Sequence, residues 1–256
     1  HICTGGTGVN IFETESGIVR ESNLADLYDM TRLADSLPNI HCCNRQPVTR
    51  DLTSVDDTDI NTAYAIASAT RKPFGAGVST PENAWKVRKM MDIILGDETT
   101  FDNEPICWSG GTFVISPLRA PEGDQAKLEA IIRAGFPVHQ VMVPQSGTTG
   151  PAPLAGTLVQ CVAECLFVLC LVQLIKRGHP FIVGCWPFVS DLRTGAFSGG
   201  NGEQALMMAA SAQLMEYYSL PSSVASGMTD SKSPDVQAGF EKALTTTLAA
   251  LAGPTL

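Results

Sequence analysis

Short apolar runs alternate along this chain with amphipathic stretches that open on helix-capping residues, the pattern of a parallel sheet whose strands are joined by crossover helices. Six strand–helix units are predicted. A strand at residues 40–43 leads to a helix over 57–69, and a strand at 74–78 leads to a helix opening at Ser79-Thr80-Pro81-Glu82, where Thr80 is a good cap and Pro81 a good first-turn residue. A strand at 112–116 precedes a helix over 124–134, and a strand at 138–143 precedes a long apolar helix over 155–177. A strand at 181–185 and the Gly-rich loop 194–202 precede a helix over 203–218; a strand at 223–226 precedes a helix over 234–251. Residues 2–13 and 22–36 are predicted to be a seventh unit or a lead-in hairpin. The set fits a (β/α)8 TIM-type barrel missing an end better than a doubly wound sheet, which usually has a Gly-rich phosphate turn after its first strand. Gly5-Gly6-Thr7-Gly8 lacks dinucleotide spacing and runs into strand-like Val9-Asn10-Ile11-Phe12, so it reads as a tight turn.

With 256 residues, 44% of them apolar and 17% charged, the chain can bury a large core, and residues 1–256 are taken as one barrel domain. It begins at His1 without a methionine and stops at Gly253-Pro254-Thr255-Leu256, just past a helix, so both ends are expected to be cut from a longer protein. The net charge of -9 carries no basic cluster, which argues against nucleic acid and anionic lipid as partners. A cationic small molecule suits it better. Eight cysteines without the dense spacing of a secreted scaffold are read as reduced thiols, placing the protein in the cytoplasm. The one stretch apolar enough to span a membrane, 158–175, is interrupted by Gln160, Glu164 and Gln173 and is expected to be a buried barrel helix instead. The oligomeric state is left open, a homo-oligomer included.

In a barrel, chemistry sits at the carboxyl ends of the strands. Those segments here are polar and rich in Gly and Pro: Asn44-Arg45-Gln46, Pro144-Gln145-Ser146-Gly147, Cys185-Trp186-Pro187-Phe188 and Gly227-Met228-Thr229-Asp230-Ser231-Lys232. A nucleophile elbow, a phosphate-binding P-loop and a His-Glu-x-x-His pair are all missing. Cys161 and Cys165 share a helical face, but the four histidines are scattered, so no metal set is read. His139 falls within a strand as a core or barrel-interior residue.

The stretch from Ser226 to Glu241 closely resembles the trimethylamine methyltransferase family, in which a Thr-Asp-x-Lys loop precedes a helix opening Asp-x-Gln-x-Gly-Tyr/Phe-Glu and ending Leu-Ala-Gly. Thr4 to Asn10, Pro144 to Gly147, Ala152 to Gly156 and Gly199 to Glu203 extend the likeness in the expected order. The resemblance implies a (β/α)8 barrel longer than this chain and transfer of a methyl group from a methylated amine to the Co(I) of a separate corrinoid protein. Archaeal trimethylamine members carry pyrrolysine, and other members act on quaternary amines such as glycine betaine; no pyrrolysine is written here, and residues 227–232 mark the expected neighbourhood of its position.

On that reading Thr229, Asp230 and Lys232 are the candidate catalytic residues. A permanent cation is well held by aromatic faces and a nearby carboxylate, which makes Trp186, Phe188 and Asp191 candidate substrate contacts. The carboxylate of a betaine would take Arg193, Arg45 or Gln145. The alternative reading pairs Asp230 and Lys232 with each other, and takes Asp235 as a first-turn acid and Gln237 and Glu241 as neighbours on the last helix. Two rival readings remain: another barrel enzyme such as a lyase, for which Lys232 alone is suitably placed, and a barrel that binds quaternary amines without turnover.

Overall fold

A computed structural model describes residues 1–256, an α/β chain that divides into two compact units. The first comprises residues 1–111 and 125–138, the second residues 112–124 and 139–256.

The first unit opens with an antiparallel hairpin of β1 (Asn10–Phe12) and β2 (Val19–Glu21). α1 (Leu24–Ser36) begins at a capping box in which Asn23 and Asp26 each bond the other's backbone N–H. α2 (Val55–Ala69) is capped by Ser54, and parallel bridges run from Cys42 to Cys3 and from Cys43 to Phe74. β3 (Phe74–Ala76) leads to α3 (Pro81–Leu95), which has the Thr80 cap and Pro81 start read from the sequence and ends on left-handed Gly96. After α4 (Thr100–Asn103), β4 (Cys107–Gly111) pairs in parallel with β3. The strand expected at 112–116 was therefore placed five residues too late: β4 ends at Gly111, and Phe113 and Val114 are buried in a bend rather than a ladder. α5 (Asp124–Arg133) closes this unit. Arg88 ties α3, α4 and α5 together. Its guanidinium bonds Asp92, Asp102 and the Ala134 carbonyl, each at 2.7 Å, and lies 4.8 Å from the Phe101 ring, which meets Phe136 edge-on.

In the second unit, β5 (Val138–Met142, its first residue belonging to the first unit) is followed by β6 (Gln145–Ser146) and the long α6 (Leu154–Ile175). By length and composition α6 could cross a membrane. It turns Thr157, Cys161, Glu164, Cys165, Val168 and Val172 inward at helical spacing, as expected of a core helix, and leaves Val159, Phe167 and Leu174 exposed. β7 (Phe181–Cys185), β8 (Phe188–Ser190), β9 (Phe197–Ser198), α7 (Gly202–Tyr217), β10 (Ser222–Ser223) and α8 (Val236–Ala252) complete it. β10 pairs in parallel with β7, as crossover connections require. Gly184 lets β7 approach β5, since a Cβ there would lie 2.5 Å from the Gln140 carbonyl oxygen. The core of this unit is built from Met142, Val168, Val183, Met207, Met208 and Met215.

Candidate active site

Beyond the carboxyl ends of β5 and β7 the chain does not leave the fold directly. It continues into a three-stranded layer in which β8 pairs in parallel with β6 and antiparallel with β9. This layer holds the segments after the strands in fixed positions, and the candidate residues of this unit fall into three groups around it.

The first group joins the amino-terminal half of β5 to the ends of β7 and β10. His139 Nε2 is 2.6 Å from Ser223 Oγ, and the Trp186 indole N–H donates to the Ser223 carbonyl oxygen at 2.9 Å. The two rings meet edge to face, with centroids 6.2 Å apart. Burial pushes the His139 imidazole down to about 4, so it is neutral at pH 7. Trp186 is half-buried, with one end of its indole anchored by Ser223. Phe188 is only 6% exposed and packs with Met208, Ala212, Val224 and Ala249, while its ring meets Phe197 edge-on. Phe188 is thus a core aromatic supporting the site, with little ring surface left for a ligand.

In the second group, Ser190 Oγ donates to Gln145 Oε1 at 2.9 Å and lies 3.1 Å from Thr148 Oγ1. The Gln145 carbonyl oxygen accepts from the Gly150 N–H at 2.8 Å, closing the loop after β6. The Asp191 carboxylate accepts the Arg193 N–H at 2.8 Å and makes a 3.6 Å ion pair with the Arg193 side chain, which is 91% exposed. Asp191 shapes this turn, and Arg193 stands in solvent. Arg45 belongs to the other unit, where its guanidinium lies against Gly77.

The third group is the loop at 227–232. Asp230 accepts from Ser198 Oγ and from the Gly199 N–H, both at 2.8 Å, which ties this loop to the Gly-rich one. Glu241 of α8, left by the sequence as a plain helix neighbour, is its anchor: it accepts from Thr229 Oγ1 at 2.6 Å, the Asp230 N–H at 2.8 Å and Gln237 at 2.9 Å. Those donors, Thr229 first, hold the Glu241 carboxyl below its usual range. Lys232 is exposed and bonds the Asp230 backbone carbonyl at 2.9 Å rather than the Asp230 carboxylate. Asp235 is the N-cap of α8, accepting from the Ala238 N–H, one position before the first turn. Gly200, at φ +91°, is where the two loops touch: a Cβ would lie 2.8 Å from the Met228 carbonyl oxygen and 2.9 Å from Glu241 Oε2.

Glu164 was also read only as an interruption in the apolar run. It is fully buried on α6 and accepts from Ser116 Oγ at 2.7 Å, the Leu118 N–H at 2.9 Å and Gln160 at 3.0 Å. It borders a recess of about 170 Å³ lined also by Val114, Leu118, Ala120 and Phe167. A buried carboxylate spaced four residues from a glutamine on an apolar helix was the available signal.

Comparison with known proteins places this arrangement. The family model described as trimethylamine methyltransferase (MTTB) matches residues 2–256. The chain belongs to the trimethylamine methyltransferase (MTTB) family. It is 33% identical to the trimethylamine methyltransferase MttB of Desulfitobacterium hafniense strain DSM 10664 / DCB-2, over 98% of this chain and 50% of that protein. It is 31% identical to the glycine betaine methyltransferase of D. hafniense strain Y51, over 97% of this chain and 52% of that protein, and 33% identical to MttB of Methanosarcina barkeri, over 97% and 50%. The MTTB-family chain thus spans about half the length of these relatives. Among solved structures, dihydropteroate synthase from Xanthomonas albilineans, a TIM barrel, superposes with a TM-score of 0.51 at 12% identity, covering 100% of this chain and 86% of that one. That likeness concerns the fold alone.

Proposed function

We propose that the protein containing this chain moves a methyl group from a methylated amine, either trimethylamine or a quaternary amine such as glycine betaine, to the Co(I) of a separate corrinoid protein. The observation that carries this reading is the family match over residues 2–256, with relatives named for both amines at 31–33% identity. The chain would supply most of a (β/α)8 barrel, and the reaction would be cytoplasmic.

The Co(I) of the corrinoid supplies a two-electron nucleophile, and no residue of this chain is assigned to hold the corrinoid. The task left to the chain is to hold the amine, strip it of water and aim one methyl group outward for in-line displacement. A quaternary ammonium leaves as a neutral amine without a proton, so the site needs no strong acid for it. This suits residues whose polar groups are already engaged. Trp186 presents the aromatic face, worth roughly 0.5–2 kcal/mol to a cation. Neutral His139 and Ser223 fix that indole without adding a competing positive charge. Asp191 and Gln145 line the next segment, and Arg193 would take the carboxylate of a betaine. Thr229, Asp230 and Lys232 flank the reacting end, with Thr229 and Asp230 acting through the loop that Glu241 and Ser198 hold in place.

The test is the visible spectrum of a Co(I) corrinoid protein mixed with the full-length protein and, in turn, trimethylamine, glycine betaine, carnitine and tetramethylammonium. Methylation of the corrinoid with one amine supports the reading and names the substrate. No change with any of them, given an active cognate corrinoid protein, overturns it in favour of a barrel that binds without turnover or of a different barrel chemistry.

A further inference from the structure

Behind Trp186, three cysteines converge. Cys161 and Cys165 lie four residues apart on α6, and Cys185 is the last residue of β7. Their Sγ atoms all lie within 4.8 Å of one another, with Cys185 and Cys161 at 3.4 Å, and each residue is at most 1% exposed.

We propose that Cys161, Cys165 and Cys185 form a buried three-thiolate site for one thiophilic d10 cation, Zn2+ or Cu+. A cation about 2.3 Å from each of three sulfurs sets them roughly 3.7–4.0 Å apart, so these thiols need move only tenths of an ångström to close on it. Thiolate donors select soft cations of this class over Mg2+ or Ca2+. The surroundings give a second, independent observation. Gln140 and Ser211, both fully buried, lie beside Cys165 and Cys185, and neither side chain meets a nitrogen or oxygen partner, so their polar atoms face the sulfurs alone. Thiols in an apolar core need no such companions, whereas a metal site uses polar groups as a further ligand or to orient the sulfurs. The present sulfur contacts are weak, at 3.7 Å to the Met142 carbonyl and 3.9 Å to that of Gly184, and are easily exchanged. Ligation releases the thiol protons to solvent, and in so closed a site the cation enters as the chain folds. The cation would fix the end of β7, and with it the position of Trp186.

The experiment is elemental analysis of the full-length protein purified under reducing conditions, compared with Cys161→Ala/Cys165→Ala and, as a control, the exposed Cys170→Ser. The expected result is one zinc or copper per chain in wild type and control and one fewer in the double variant. Cys3, Cys42 and Cys43 are common to all three proteins and cancel. Should the double variant fail to fold, Cd2+ titration of metal-free wild type decides, with sulfur-to-cadmium charge-transfer absorption saturating at one equivalent. Equal metal content in wild type and a folded double variant overturns the proposal. So does a wild type that takes up no Zn2+ or Cu+, or a mass two hydrogens low that maps to a Cys161–Cys185 disulfide.

Discussion

Lowering the pH from 7 towards 5 should destabilise the second unit through His139. This side chain is 6% exposed, lies against Trp186 and Ser223, and is held at about 4 by burial. An unfolded histidine titrates near ~6.5, so between ~4 and ~6.5 the unfolded chain binds a proton that the folded one refuses. Stability therefore rises with pH through that window. The contribution is fully present above the unfolded value and erodes as pH falls towards the folded one. The full separation corresponds to about 3 kcal/mol, of which about 2 kcal/mol is lost between pH 7 and pH 5. The carboxylates whose values are depressed, Glu241 and Asp26 among them, lose their contribution only below about pH 4.5, outside the range measured. Urea unfolding of wild type and His139→Gln at pH 7, 6 and 5 isolates the effect, because the other three histidines are common to both and cancel. The variant should start less stable and show a pH slope flatter by about 2 kcal/mol across the range. Equal slopes would refute the argument and show that His139 accepts its proton without unfolding.

Arg88→Ala removes four charge-assisted bonds, to Asp92, Asp102 and the Ala134 and Glu98 carbonyls, that tie α3 to α4 and to the end of α5. It should lower stability by roughly 2–3 kcal/mol in urea or thermal unfolding, and a loss under about 0.5 kcal/mol would mean these contacts are interchangeable with water. Gly200→Ala places a Cβ against the Met228 carbonyl and Glu241 at a left-handed backbone position, and should cost about 1–3 kcal/mol with a slowed methyl transfer; an unchanged melting curve would contradict the close packing of the two loops. Glu241→Ala frees Thr229 and the Asp230 N–H, and should lower the transfer rate roughly tenfold to hundredfold while amine affinity stays near wild type. A larger effect on affinity than on rate would place this loop at the amine instead. Trp186→Ala should weaken binding of a quaternary amine by about threefold to thirtyfold in calorimetry, and unchanged affinity removes the indole from the pocket.

The elements legible in the sequence were those whose own side chains determine them. Thr80-Pro81 marks the start of α3 because a hydroxyl cap and a fixed φ are local properties, and α6 is evident from the length of its mostly apolar run. β4 was missed for the opposite reason. Cys107-Trp108-Ser109-Gly110-Gly111 has little strand propensity of its own and is extended by its neighbours, through pairing with β3 and the bond from the Ser109 N–H to the Pro137 carbonyl. The β-branched run just after it looked the better strand but meets no ladder. Likewise β6, β8 and β9, two or three residues each, are too short to leave a period, although together they hold the strand-end segments in place.

At the candidate site the same division separates residue type from partner. The sequence located the polar strand ends and the loop at 227–232, but it could not show that Asp230 spends both oxygens on the Gly-rich loop, or that Glu241 closes the network from a helix eleven positions on. Spacing of four along a helix revealed two of three converging thiols; the third, Cys185, lies 20 residues past Cys165 and meets it only because β7 returns beneath α6. These long-range ties bear on the proposed chemistry. An enzyme that waits for a nucleophile from another protein must keep its amine dehydrated and aimed without a strong reagent of its own. Anchoring each loop through a buried or multiply bonded side chain (Ser223 for Trp186, Ser190 for Gln145, Glu241 for Thr229) limits how far the loops can relax when water is expelled. Rate should therefore depend on anchors that never touch the amine, and the comparison of Glu241→Ala with Trp186→Ala separates the two roles.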